Sequence, residues 1–469
     1  MPSPQAKSSF SHVLCSALQV LPSTLHWIFL LFAIPQVIFL ALWTPPFQTA
    51  DEPAHFNRAW QIAHFEIGPQ RGAMADTGAL NAEICIAGIG FHQKARYTKA
   101  DQMCAESAQW TGQLTYREFP NTGAGALTGY IPQALGIAIG KAVGLGPLRT
   151  LQLVRLLNGA FAIAVCSFAL WWCRSGRLVM FAVLLMPMSL SLFASCGQDP
   201  TSIALTCLAF ALISRQLDAG GALPRTQAAI VVVSLVVVSV SRPTYVALLL
   251  PLLIPQLFDG RRNRPSWITG FWFACLSLAI TVAWWLTAMR AVRAVAAPIA
   301  GIGVVDAKLQ LANLLHHPAI ARDLLAYTIH HIPEYIAGVI GYLGWLDTLM
   351  PSVYYLIMFG VLVLAFLAET SVAPRLPKNV TAIFLCAGFA GIALVFLVEY
   401  LIWTPVGAPG IYGVQGRYFI PLLIAVAVGL PRLGNSEKTY QRVTAMVVAV
   451  QLITAVVLPQ VILARYYTG

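Results

Sequence analysis

Residues 25–43 read LHWIFLLFAIPQVIFLALW, a run without Asp, Glu, Lys or Arg. About 20 consecutive apolar residues cross the hydrocarbon core of a bilayer as a helix, which satisfies every backbone polar group internally. The composition agrees, since 58% of the 469 residues are hydrophobic and only 10% are charged. A typical soluble domain carries about 25% charged residues. The sequence therefore predicts an integral membrane protein.

Similar apolar runs continue to the carboxyl terminus and predict an all-α protein with about eleven transmembrane helices. The predicted spans are 25–43, 150–173, 178–194, 201–213, 227–240, 245–258, 267–289, 352–368, 380–403, 418–430 and 443–463. The predicted regions are a cytoplasmic amino terminus (1–24), the first transmembrane helix (25–43), a first exported loop (44–149), transmembrane helices 2–7 (150–289), a second exported loop (290–350) and transmembrane helices 8–11 (351–469). Both loops are expected to carry interfacial helices, such as one at 129–143.

The net charge of +11 resides mainly in short gaps between apolar runs, as at Arg261, Arg262 and Arg264. This pattern is typical of cytoplasmic loops and places the amino terminus inside. The same pattern places Arg225 and Arg261 both inside, so residues 227–258 between them should form a hairpin that turns at 241–243. Since no Lys/Arg run with interleaved aromatic residues lies on a polar stretch, nucleic acid is not an expected partner.

The nine cysteines include no CxxC pair. Most lie in apolar runs, where cysteine usually packs as a small apolar residue. Cys85 and Cys104 differ because both lie in the first exported loop. An exported compartment permits disulfides, and these two residues are the expected pair.

The segment DEPAHF (51–56) opens the first exported loop directly after the first span. Asp51 suits a helix N-cap and Pro53 suits the first turn, so a helix is predicted to begin here. His55 would lie one turn further along the same face. Spacing alone favours the capping role for Asp51 over the alternative, a general base where the chain leaves the lipid.

Two arginines at the same predicted face are candidates for binding an anion. Arg417 and Tyr418 follow Gln415 and Gly416 and begin a predicted span, and a guanidinium there can grip a phosphate with two hydrogen bonds. An interfacial anchor is the alternative for this Arg-Tyr pair. Gly416 would let backbone approach a ligand closely. Arg242 lies in the predicted hairpin turn between apolar arms, where it needs a phosphate or carboxylate partner.

Asp199 precedes Pro200 at the start of another span and lies at the same predicted face. Helix capping and a place in a shared polar cavity are equally compatible with this position. His330, His331 and Glu334 superficially suggest a metal site, but adjacent histidines point in different directions on a helix. No metal-binding residues are therefore assigned.

Several motifs resemble one known family. They are DEPAHFNRAWQIAHF (51–65), GYIPQALGIAIG (129–140), RLLNG (155–159), SCGQDP (195–200), SRPTY (241–245, ending at Tyr245) and QGRYFIPLL (415–423). In this order they resemble a bacterial family of polytopic membrane proteins that is similar to the GT-C superfamily of polyprenyl-phosphate-sugar-dependent glycosyltransferases.

The resemblance implies a GT-C-like fold in the bacterial inner membrane, with an active face on the periplasmic side. It implies that Asp51, with Glu52 beside it, acts on an acceptor hydroxyl. Arg417, with Arg242, would stabilise the departing lipid phosphate. The expected substrate-binding residues are His55, Asp199, Arg242, Tyr245, Gln415, Arg417 and Tyr418. No DxD triplet is found, and a divalent metal cofactor stays open.

The expected function is therefore inverting transfer of a sugar from a polyprenyl-phosphate donor to a cell-envelope glycan or lipid acceptor. The expected partners are this donor, the acceptor and membrane lipids. The alternatives are a glycan polymerase or ligase, a polysaccharide or lipid transporter or flippase, and a structural scaffold. Transporters tend to show paired halves with polar residues at the midplane, whereas the ionisable residues here cluster at one face.

Overall fold

The computed structural model describes residues 21–258, 266–292 and 303–468. The helices are α1 (Leu25–Trp43), α2 (Glu52–Ala63), α3 (Thr77–Ile84), α4 (Lys99–Ser107), α5 (Pro120–Gly123), α6 (Ile131–Ala142), α7 (Pro147–Trp172), α8 (Arg177–Leu184), α9 (Pro187–Phe193), α10 (Asp199–Ala219), α11 (Arg225–Ser241), α12 (Trp267–Val292), α13 (Ala307–His316), α14 (Ala319–His330), α15 (Ile332–Gly341), α16 (Ser352–Val372), α17 (Lys378–Ile402), α18 (Ile420–Val428) and α19 (Glu437–Tyr466). The strands are β1 (Gly72–Asp76), β2 (Leu114–Glu118), β3 (Tyr342–Leu343) and β4 (Thr348–Leu349). Short 3-10 helices cover Leu21–Thr24, Leu127–Gly129, Pro243–Leu253, Pro255–Leu257 and Gly416–Phe419.

The prediction of an all-α membrane protein is confirmed. Within the described ranges, seven helices are long and apolar enough to cross a bilayer, namely α1, α7, α10, α12, α16, α17 and α19. Each coincides with a predicted span.

The other four predicted spans are shorter or interrupted, so the count of eleven is not established. Residues 178–194 form α8 and α9, broken at Met186 because the residue before a proline avoids the helical conformation. Residues 227–240 lie in α11, which has 17 residues. Residues 245–258 lie mainly in 3-10 helix, with Pro251 inside it. Residues 418–430 begin in 3-10 helix and continue as α18.

The segment between α1 and α7 covers one end of the bundle, which we call the loop face. Its hairpin pairs β1 with β2 in antiparallel register, with Gly72 opposite Glu118. A disulfide joins Cys85 to Cys104 with a Cα–Cα distance of 5.8 Å, which confirms the predicted pair. Helix α6 corresponds to the predicted interfacial helix at 129–143.

Small residues let α6 pack tightly on α7. A Cβ added to Gly136 would lie 2.9 Å from Cα of Val154, and one added to Gly140 would lie 2.6 Å from Oγ1 of Thr150. Helix α7 also packs along α1 and α10. These contacts attach the loop face firmly to the long helices.

The second predicted loop also contains helices. Residues 309–315 and 320–327, which the sequence predicts to be amphipathic, fall in α13 and α14. The predicted turn at 241–243 coincides with the break between α11 and the following 3-10 helix. The basic gap 261–264 and residues 1–20 lie outside the described residues, and the cytoplasmic location of the amino terminus stays a prediction.

Candidate functional site

Asp51 precedes α2 with a left-handed backbone (φ 62°). Both oxygens of its carboxylate accept hydrogen bonds from side chains outside α2, and neither accepts one from the backbone of the helix end. Oδ1 accepts a hydrogen bond from Nδ2 of Asn121 at 2.9 Å, and Oδ2 accepts one from Nη2 of Arg417 at 2.9 Å. Asp51 thus occupies the N-cap position, but its side chain serves long-range contacts instead of the capping role that spacing favoured.

Asp199 lies between the two arginines. Its Oδ2 is 3.7 Å from Nε of Arg417, and its Oδ1 is 3.5 Å from Nη2 of Arg242. Asp51, Asp199, Arg242 and Arg417 are therefore linked by ion pairs, and we call them the charged cluster. Opposite charges alternate along it, which allows two guanidinium groups to lie close together.

The middle of the cluster is buried, and its two ends are partly exposed. The side chains of Asp199 and Arg417 are 8% and 5% exposed, whereas those of Arg242 and Asp51 are 20% and 32% exposed. A small polar ligand can thus approach the cluster at Asp51 or at Arg242.

The arginines retain unused hydrogen-bond donors. The guanidinium of Arg242 stacks on the ring of Tyr418, with Cζ 3.8 Å from the ring centroid. This cation–π contact orients the guanidinium plane. Nε of Arg242 and Nε of Arg417 are buried and have no hydrogen-bond partner among the described residues. A buried donor without a partner is costly. The carboxylate of Asp199, at 3.7 Å from Nε of Arg417, is too far to remove this cost, and a further anionic acceptor beside the arginines would reduce it.

His55 lies on the first turns of α2, where its Nδ1 is 2.7 Å from the hydroxyl of Tyr130. Burial lowers the pKa of His55 to about 4, and the charges of Arg417 and Arg242 act in the same direction. The nearby carboxylates of Asp51 and Asp199 oppose this shift without cancelling it. His55 is therefore neutral at pH 7 and is able to accept a proton or a hydrogen bond.

Burial by itself would raise the pKa of Asp51, but the positive charge of Arg417 lowers it. Hydrogen bonds from Arg417 and Asn121 act in the same direction, and the pKa lies below its ordinary value. Asp51 is thus ionised over the physiological pH range. Its basicity depends on whether Arg417 remains its partner.

Glu52 does not join the charged cluster. Its oxygens accept hydrogen bonds from Nε and Nη2 of Arg155 at 2.9 and 2.5 Å, and Oε1 also accepts one from the backbone N–H of Cys196 at 3.1 Å. Glu52 and Arg155 have side-chain exposures of 0% and 1%. The structure thus places Glu52, expected beside Asp51 in catalysis, in the buried framework, because consecutive residues of a helix point in different directions.

The remaining expected residues surround the cluster. Tyr418 contacts both arginines, and Tyr245 is buried within electrostatic range of Arg242 and Asp199. The side-chain oxygen of Gln415 is buried without a hydrogen-bond partner in the described part of the chain. Gly416 does permit a close backbone approach, but to α15: an added Cβ would lie 2.1 Å from the carbonyl carbon of Gly338.

Four residues around this site had no role assigned by the sequence. They are Asn121, Tyr130, Arg155 and Glu399, the last being close enough to Arg242 and Arg417 to interact electrostatically. Tyr130 and Arg155 do fall within the motifs that carried the family resemblance. Asn121 and Glu399 lie outside those motifs, and no local pattern distinguished them.

No group of three His, Cys, Asp or Glu side chains within the described ranges is arranged to hold a metal ion. His330 and His331 lie at the end of α14, whereas Glu334 lies in α15. Nδ1 of His331 is 2.7 Å from the carbonyl oxygen of Tyr327, within its own helix. The site thus offers carboxylate acceptors, a neutral imidazole and guanidinium donors.

Comparison with known proteins gives one match, a family described as predicted membrane protein (DUF2142), over residues 34–426. No curated protein and no solved structure matches the chain. The matched range contains every member of the charged cluster and most of the long helices. The chain therefore belongs to the DUF2142 family of predicted membrane proteins.

Proposed function

We propose that this protein is a glycosyltransferase of the bacterial inner membrane. It would transfer a sugar from a polyprenyl-phosphate donor to a cell-envelope glycan or lipid on the periplasmic face. The observation that carries the proposal is a pair of guanidinium groups beside a partly exposed carboxylate, each with a buried Nε that has no hydrogen-bond partner in the described part of the chain. Such a site can hold a phosphate next to a base, as transfer from a lipid phosphate requires.

In the proposed reaction an acceptor hydroxyl attacks the anomeric carbon of the donor sugar. The bond from that carbon to the phosphate oxygen breaks, and the electron pair leaves with the phosphate. The hydroxyl proton passes to the carboxylate of Asp51, while Arg417 and Arg242 stabilise the charge that develops on the phosphate. Attack from the face opposite the leaving group inverts the sugar configuration.

The ion pair between Asp51 and Arg417 allows donor binding to change the basicity of Asp51. A phosphate that takes over Arg417 would remove the closest positive charge from Asp51, and the pKa of Asp51 would rise toward its ordinary value. Donor binding would thereby convert a weakly basic carboxylate into a better proton acceptor. In this order of events, Asp51 becomes a better base only after the donor has bound.

An apolar groove that is lined in part by Phe419 would accept the lipid tail. It has a volume of about 460 Å³ and is lined by side chains of α15, α16, α17 and α18, and by Phe419. Phe419 directly follows Tyr418, whose ring stacks on Arg242. Along α16 the groove extends from Phe359 to Leu367, roughly 12 Å at 1.5 Å per residue. The groove could thus hold a prenyl chain whose phosphate reaches Arg417.

The test uses purified full-length protein in liposomes, supplied with polyprenyl-phosphate hexoses and an extract of cell-envelope glycans and lipids. Release of free polyprenyl phosphate together with labelling of an acceptor is expected. If the Asp51→Asn variant releases no polyprenyl phosphate, the activity is assigned to this site. The control Asp218→Asn, at an exposed position of α10, should release it normally. Movement of intact lipid-linked sugar across the bilayer without release of phosphate would instead indicate a flippase.

A further inference from the structure

A second pocket, of about 320 Å³, lies at the loop face between the end of α1, the helix α4 and the start of α7. Its lining includes Arg155, whose guanidinium is already bound by Glu52 and by the carbonyl oxygens of Ala41, Thr44 and Pro45. Arg155 is thus unavailable to a ligand. The residues that could bind a ligand in this pocket are therefore the other lining side chains.

One wall is polar and carries one charge of each sign. Arg149 donates hydrogen bonds to Oε1 of Gln152 at 3.0 Å and to Oε1 of Glu106 at 3.2 Å. Gln102 donates to the same oxygen of Glu106 at 3.2 Å. The side chains of Arg149 and Glu106 remain 59% and 38% exposed, so their outer edges are accessible. This wall therefore presents a cation and an anion side by side.

A second part of the lining is aromatic. The rings of Trp43 and Tyr467 meet edge to face with centroids 5.7 Å apart, and Tyr97 meets Tyr467 in the same way at 5.9 Å. The hydroxyl of Tyr467 donates to the carbonyl oxygen of Trp43 at 2.8 Å, which fixes the pair. Faces of such rings attract ammonium groups.

The third wall is aliphatic and lies toward the long helices. Leu42 belongs to the last turn of α1, and Leu148 and Leu151 belong to the first turns of α7. Both helices are candidate membrane spans. The pocket therefore borders the ends of two candidate spans, as expected of a site level with the lipid headgroups.

We propose that this pocket binds the headgroup of a zwitterionic aminophospholipid from the surrounding leaflet. The phosphate pairs with Arg149, the ammonium lies between Glu106 and the ring faces of Trp43 and Tyr467, and the acyl chains begin against Leu148. Since the charges of Arg149 and Glu106 balance, and Arg155 is neutralised by Glu52, the pocket favours a zwitterion over an anionic lipid. This proposal does not depend on the proposed enzymatic function.

The test is lipid retention by the full-length protein in detergent, measured by native mass spectrometry. Phosphatidylethanolamine, phosphatidylcholine and phosphatidylglycerol with identical acyl chains compete in pairs. We expect at least fivefold preference for phosphatidylethanolamine over phosphatidylglycerol, because the latter lacks the ammonium group. Equal retention of these two lipids by the unmodified protein would overturn the proposal, whatever the variants do.

Two variants assign the headgroup contacts. The unmodified protein is expected to prefer phosphatidylethanolamine over phosphatidylcholine, because the quaternary ammonium of the latter donates no hydrogen bond to Glu106. Glu106→Gln is expected to lose this preference. Arg149→Gln is expected to weaken retention of both lipids at least threefold. The matched controls are Glu118→Gln and Arg71→Gln, because these residues form an exposed ion pair of 3.0 Å on the β1–β2 hairpin, outside the pocket. Equal effects in the control pair would contradict the assignment.

The source of the headgroup is tested separately with soluble O-phosphoethanolamine. At millimolar concentration it is expected not to displace the retained lipid, because it lacks the chains that contact the aliphatic wall. Full displacement would show that a soluble phosphoamine is the preferred ligand and would overturn the choice of a membrane lipid.

Discussion

Asp51 and Arg417 are 366 residues apart in the sequence, and a hydrogen bond of 2.9 Å joins Nη2 of Arg417 to Oδ2 of Asp51. The contact connects the start of the loop-face segment to the short 3-10 helix that precedes α18. Asp199 extends it to Arg242 on a third part of the chain. Two carboxylates and two guanidinium groups are thereby brought together in one partly exposed cluster.

Substitution of Asp51 by Asn should reduce sugar transfer by about 10²- to 10⁴-fold, the usual contribution of a general base. The amide keeps the size of the side chain but cannot take the proton. Initial rates in proteoliposomes measure the effect, with Asp218→Asn as the exposed control. A fully active Asp51→Asn protein would exclude Asp51 as the base.

Arg417→Lys and Arg242→Lys should each weaken donor binding by about 10- to 100-fold, which corresponds to loss of a charged hydrogen bond of about 1.5–3 kcal/mol. Lysine keeps the charge but lacks the planar fork that binds phosphate with two donors. Equilibrium binding of a fluorescent polyprenyl phosphate measures the change. Arg322→Lys, at a side chain that is 82% exposed, is the control and should bind normally; normal binding by the cluster variants as well would make Arg417 and Arg242 structural.

His55 should make the protein less stable at acidic pH. Its folded pKa of about 4 lies below the ordinary value of 6.5, so the unfolded chain takes up a proton first as the pH falls. The contribution is fully present above pH 6.5 and is lost toward pH 4, by up to about 3 kcal/mol. Asp51 acts in the same direction, but only below its ordinary pKa.

Melting temperatures in detergent between pH 8 and pH 4.5 measure this loss. The His55→Gln variant should show a smaller decrease over that range than the unmodified protein. An identical decrease in both proteins would mean that His55 does not carry the acid sensitivity.

Glu52→Gln should destabilise the protein by about 3–5 kcal/mol, because it leaves the charge of Arg155 buried without a counterion. A residue that acted only on substrate would instead lose activity at normal stability. The melting temperature distinguishes these outcomes. The double variant Glu52→Leu, Arg155→Met should recover only part of the loss. It removes the unpaired charge, but it leaves the carbonyl oxygens of Ala41, Thr44 and Pro45 without their donor.

Gly416→Ala should destabilise the protein by about 1–3 kcal/mol, the usual cost of overpacking. The added Cβ would lie 2.1 Å from the backbone of Gly338 and Val339, and it would displace the turn that carries Arg417. Gly360→Ala in α16 is the control, because a Cβ there meets no atom within 4 Å. Equal melting temperatures for the two variants would contradict the close approach.

Helix positions were predictable where a single local property decides them. The span 25–43 coincides with α1, since a long apolar run forms a helix in lipid whatever surrounds it. Prolines altered other spans, as at Met186 before Pro187 and at Pro251 within the 3-10 helix. In these places a local backbone restriction changed a helix that hydrophobicity alone would have continued.

The direction of the acidic side chains was not predictable from spacing. Asp51 has the identity and position of a capping residue, yet its left-handed backbone directs the carboxylate to Asn121 and Arg417. Glu52 next to it points to Arg155 on α7. Judged by local propensity, both acids are ordinary residues of a helix start. Their partners lie on distant segments, which local propensity does not include.

The sequence by itself determined that the chain is an α-helical membrane protein, because hydrophobicity acts locally, and its charges predicted that Asp51, Asp199, Arg242 and Arg417 share one membrane face. Only the tertiary structure decided that Asp51 faces Arg417, that Glu52 is buried against Arg155, and that Phe419 lines an apolar groove. Such pairings depend on the packing of distant helices, and the free energy of an ion pair depends on a separation that no local pattern encodes.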